Sequence, residues 1–174
     1  MRIAHRRLVA RRRLNVGPFD VIAAGSRLPE ERSMQYVCDA GPKTWFRLET
    51  EGEAERESRD MDHAVEKYFR QSRAQAEQSY VPSPTLARFE QKIGLKDYIL
   101  RVMPLFLTLR DRAGTPLATA MLPPGGKDDK SFRPIIVGTS NGDPYQEHGD
   151  AIALLGAHFK LTLDPVRCFP YRRG

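Results

Sequence analysis

The spacing of hydrophobic and polar positions changes several times along this chain, and each change marks an element. The first firm unit joins Met34 to Cys38 and Thr44 to Glu49 through the turn-forming cluster Asp-Ala-Gly-Pro-Lys. Two β-rich runs about such a cluster predict a hairpin, with strands near 34–38 and 43–49. In the second strand Trp45 and Arg47 alternate with Phe46 and Leu48, and the alternation places Phe46 and Leu48 on the buried face.

From Thr50 the period becomes helical. Thr50 and Glu53 have the spacing of a capping box, and Ala54, Met61, Ala64, Val65, Tyr68 and Phe69 recur as one apolar side. The pattern predicts one long helix over roughly 53–78. Val81-Pro-Ser-Pro84 ends it, because each proline removes a donor and keeps the residue before it out of the helical region. Leu86, Phe89 and Ile93 then predict a short helix stopped by Gly94, with a further turn or two over 95–103. Leu105–Arg110 and Thr115–Leu122 flank Asp111–Gly114 and predict a second hairpin, and 131–138 supplies another strand with Pro134 at its start or on an edge. Asp143-Pro144 opens a helix to about 157 that buries Ala151, Ile152 and Leu155. Phe159–Leu163 reads as a last strand, followed by a turn and a tail, while residues 17–33 form either an extra strand or a connector.

This order predicts an α+β domain. The expected architecture is an antiparallel or mixed sheet of about five strands, with a long helix and two or three shorter helices packed mainly on one face. Trp45, Tyr68, Phe69, Phe89, Tyr98 and Phe106 are expected in its core.

With 174 residues, 40% apolar and 29% charged, the chain suits one domain over 34–174 preceded by an arm over 1–33. No run approaches the about eighteen apolar residues of a membrane span, so a soluble protein is expected, with no membrane partner. Two cysteines without a CxxC pair or a secretory signal point to a reducing, cytoplasmic setting.

Charge divides the chain unevenly. The first nineteen residues hold six arginines and no carboxylate, whereas residues 34–174 hold twenty Lys and Arg against nineteen Asp and Glu. The net charge of +6 therefore belongs almost entirely to the arm. An arm of this kind suits nucleic acid or another polyanion, with Arg6, Arg7, Arg11, Arg12 and Arg13 on phosphates. The alternatives are an organellar presequence and an in-frame extension ahead of a start at Met34.

Candidate chemistry inside the domain is sparse. The most site-like segment is Pro123–Arg133, where Gly125 and Gly126 let backbone amides converge and Lys127, Lys130 and Arg133 add positive charge, as in an anion or ligand loop. An ordinary long connection is the competing reading, and Asp128 after Lys127 breaks the phosphate-loop pattern. The four histidines lack ligand spacing, so no metal and no cofactor is expected, and no catalytic residue is assigned. The acids Glu49, Glu51, Glu53, Glu55, Glu57, Asp60 and Asp62 read as a solvated helix face that offsets the macrodipole. Phe169, Tyr171, Arg172 and Arg173 make an aromatic-basic tail suited to a protein partner. These features together predict a non-catalytic binding or regulatory protein held to an acidic assembly by its arm. A small-molecule sensor domain is the alternative, and a divergent hydrolase or transferase the second alternative.

Overall fold

The computed structural model describes residues 34–85 and 87–170, in which five strands form one antiparallel sheet. The first hairpin comprises β1 (Gln35–Ala40) and β2 (Lys43–Arg47), and Gly41 takes the left-handed conformation its turn requires, at φ +70°. Three helices follow, α1 (Glu51–Met61), α2 (Val65–Ser79) and α3 (Arg88–Val102), before the chain returns as β3 (Leu105–Arg110) beside β2. β4 (Pro116–Leu122) and β5 (Ile135–Val137) complete the order β1-β2-β3-β4-β5, every neighbouring pair antiparallel. The turn between β3 and β4 forms as its residues suggest: the Asp111 carboxylate accepts the amides of Ala113 and Thr115, each at 2.9 Å. Two further helices, α4 (Tyr145–Phe159) and α5 (Pro165–Cys168), end the described chain.

The fold is therefore α+β, and the helices cover both faces of the sheet unequally. Leu48, Phe69, Met103 and Phe106 form the core beneath α1 to α3. Trp45, Leu107, Leu109, Ala120, Ile152 and Leu155 form the core beneath α4. Strand β2 is thus covered on both sides, and Trp45 is fully buried with its indole N–H donating to the Ala151 carbonyl at 3.0 Å. Leu48 is buried as the alternation predicts and Phe46 half-buried, while Trp45, on the opposite face, joins the core as its aromatic character predicts, beneath a helix that the alternation did not foretell.

The capping box forms as read, with Thr50 Oγ1 accepting the Glu53 amide at 3.2 Å and Glu53 Oε2 accepting the Thr50 amide at 3.0 Å. The long helix, however, is two helices. Asp62 turns left-handed at φ +51°, and the amide of Glu66 restarts the helix on the Ser58 hydroxyl at 2.8 Å. Neither Pro nor Gly marks this break, which is held by contacts to the sheet and to the loop before α4. The opposite difference occurs at Gly94, which lies within α3 instead of stopping a helix; a Cβ there would stand 2.8 Å from the Tyr80 hydroxyl.

Residues 159–163 form no strand. Lys160 caps α4 in the left-handed region and the Leu161 amide returns to the Gly156 carbonyl at 2.8 Å, so the chain folds back under the helix. Three aromatics also depart from the expected core: Tyr68 and Phe89 are exposed and Tyr98 is half-buried, the last two on a helix none of whose residues is buried. No helix among the described residues is long and apolar enough to cross a membrane.

Candidate functional site

Arg6, Arg7, Arg11, Arg12 and Arg13 lie outside the described residues, as do Tyr171, Arg172 and Arg173; Phe169 is buried in the domain. In the 123–133 loop Gly125 and Gly126 take φ of +63° and +65° within a single 3-10 turn, Pro124–Gly126. The Gly126 amide donates to Pro123 at 2.9 Å and the Lys127 amide to Pro124 at 3.4 Å, so these two donors are committed inside the turn. Gly126 has a packing reason as well, since a Cβ would stand 2.1 Å from the Phe159 ring. Asp129 accepts the Ser131 amide, and Arg133 Nε donates to the Arg167 carbonyl at 3.0 Å. Lys127 and Lys130 are left as exposed cations on the loop.

A denser constellation sits where α1 meets the sheet. Glu57 is fully buried on the same helical side as Ala54 and Met61, and Glu53 is buried too, so two members of the acidic run leave the solvated face. Arg110, the last residue of β3, donates through one guanidinium nitrogen to Glu57 Oε2 at 2.7 Å and through the other to the Gly114 carbonyl at 2.8 Å. Thr119 on β4 donates its hydroxyl to Glu57 Oε1 at 2.6 Å. Burial pushes the Glu57 carboxyl up from its ordinary value, against the opposing pull of Thr119 and Arg110. Thr108, opposite Thr119 in the sheet, makes no hydrogen bond of good geometry, yet its hydroxyl is close enough to Glu57 to favour the carboxylate.

His63 extends this chain to the edge of a cavity. Its Nε2 lies 2.8 Å from Thr119 Oγ1. Because the Thr119 hydroxyl proton is directed at Glu57, Thr119 Oγ1 accepts from His63 Nε2–H. Nδ1 is then the unprotonated nitrogen, and it is buried without a partner. Burial lowers the imidazole pKa and keeps the ring neutral near pH 7.

The cavity has a volume of about 200 Å³. Phe106, Met121 and Ile135 give it apolar walls, while His63, Thr119 and Asn141 add polar groups. Its rim carries unusual backbone: Asp62, Ser140 and Asn141 all have positive φ, between 51° and 58°, and Ser140 donates to the Asp62 carboxylate at 2.9 Å. Left-handed residues other than glycine cost energy and persist where surrounding contacts hold them. No known protein family, curated protein or solved structure matches this chain.

The site is accordingly read from its own chemistry. Its walls suit a compact, largely apolar molecule, and its polar groups are few. No group of three or more His, Cys, Asp or Glu side chains among the described residues could hold a metal ion. Cys168 is buried and Cys38 half-buried on β1; burial raises both thiols, which makes the thiolate scarce. Glu57 could have been singled out beforehand by its spacing from Ala54 and Met61. Nothing local connects it to Arg110, Thr119 or His63.

Proposed function

We propose that this protein is a small-molecule-binding domain whose ligand occupies the cavity between the α1–α2 break and the sheet. The observation that carries the reading is the hydrogen-bonded chain from Arg110 through Glu57 and Thr119 to His63, ending beside apolar walls. A buried charge pair is a poor stabiliser compared with apolar packing, and it holds the histidine in one orientation and one tautomer. The ligand expected is a compact molecule with one apolar body and one polar edge.

Titration of the full chain with phenol, benzamide and toluene, followed by methyl and amide NMR, tests this. Phenol or benzamide should shift resonances of Met121, Ile135 and Val137, and Met121→Trp, which fills the space, should remove the shifts while the fold remains. Absence of shifts with every probe, or unchanged shifts in Met121→Trp, would overturn the reading.

A second reading rests on a separate observation, the six arginines without a carboxylate among the first nineteen residues. In it the arm holds the domain to nucleic acid or another polyanion. The two readings are compatible, because an electrostatic tether supplies affinity without selecting what the domain binds.

A further inference from the structure

Residues of α2 and α3 line a larger groove of about 380 Å³, within the range of roughly 300–1,000 Å³ typical of small-molecule clefts. Phe69, Leu95 and Ile99 are among its apolar walls, and Arg47, Lys92 and Lys96 stand around it. Among the described residues none of these three cations forms an ion pair. Glu77 in the same groove is paired with Arg73 at 2.9 Å, and Glu49 lies near Arg47 without pairing with it. Arg47 is half-buried and donates to the Leu100 carbonyl at 2.8 Å, which fixes the guanidinium at the C-terminal turn of α3. A cleft with apolar walls and unpaired cations is complementary to a molecule with an apolar body and a negative head.

We propose that this groove binds a carboxylate-bearing amphiphile, its acid group among Arg47, Lys92 and Lys96 and its chain against Phe69, Leu95 and Ile99. A carboxylate there offsets the desolvation of Arg47, and the chain adds apolar contact to α3, none of whose residues the fold fully buries. Phe69 lines this groove and Phe106 the smaller cavity; their rings touch at a centroid distance of 5.2 Å, so the two spaces are neighbours separated by this pair.

Calorimetry and hydrogen exchange on the full chain with octanoate, n-octanol and octyltrimethylammonium test the proposal. Octanoate should bind and slow exchange across α3, n-octanol should bind about tenfold more weakly or worse, and the cation should not bind. Lys92 and Lys96 are exposed, so the double variant Lys92→Glu, Lys96→Glu should fold normally and lose octanoate affinity by about tenfold or more. No octanoate binding, equal binding of the alcohol, or a folded double variant that binds unchanged would overturn it. Met121 and Ile135 report the smaller cavity in the same samples, so failure in one site is distinguishable from failure in the other.

Discussion

At the scale of residues, the chemistry rests on a carboxylate that the fold takes out of water. Glu57 is stabilised there by Arg110 and Thr119, and deleting one partner exposes the cost of the other. Arg110→Met should destabilise by about 3–5 kcal/mol in urea unfolding, because it leaves a buried carboxylate without its counterion, whereas Glu57→Gln with Arg110→Met together should cost less. Thr119→Val removes the link between Glu57 and His63 and should cost about 1–3 kcal/mol. The pH dependence has two opposed contributions. His63 has a lowered folded pKa, so its contribution to stability is present above the ordinary imidazole value and is lost as pH falls through the lowered one. Glu57 has a raised folded pKa, so its contribution is full below the ordinary carboxylate value and is lost as pH rises through the raised one. The His63→Gln variant should therefore show a flatter fall in thermal stability from about pH 7 to about pH 5 than the parent chain, a difference that isolates the imidazole. An equal slope in both proteins would mean that His63 has the same pKa in the folded and the unfolded chain.

At the scale of elements, glycines and helix ends show how local rules and tertiary contacts divide the work. The capping box at Thr50 and Glu53, the Asp111 turn and the buried side of α4 were all legible because each depends on residues within a few positions of one another. The break at Asp62 was not legible, because its causes are Thr119 and Ser140, 56 and 78 positions away from their partners His63 and Asp62. Gly126 lies in a segment that read as an anion loop, and its position is also fixed by the Phe159 ring. Gly126→Ala should consequently destabilise by about 1–3 kcal/mol through crowding, with positive φ adding to the cost. Trp45, the chain's one tryptophan, sits under α4 and reports this loss by fluorescence, its emission moving to the red as the helix detaches. A Gly126→Ala protein as stable as the parent would mean that the loop shifts freely away from α4.

At the scale of the whole molecule, charge is divided unevenly along the sequence, with six arginines and no carboxylate in the first nineteen residues and nearly balanced charge over 34–174. Replacing Arg6, Arg7, Arg11, Arg12 and Arg13 with Ala should leave thermal stability unchanged while abolishing salt-sensitive binding to DNA or RNA, read by fluorescence anisotropy. Binding retained by this variant would locate any polyanion contact in residues 34–174. The sequence by itself determined the α+β class, both hairpins and the start of α1, because periodicity, capping and turn chemistry act between near neighbours. It also determined that residues 34–174 carry almost no net charge, a matter of composition alone. Only the tertiary structure decided that α1 and α2 part at Asp62, that Glu57 is enclosed, and that His63 stands between a buried ion pair and a cavity. The physical reason is distance along the chain: Glu57, Arg110 and Thr119 obey no shared local pattern, and their hydrogen bonds exist only once α1 lies across β3 and β4.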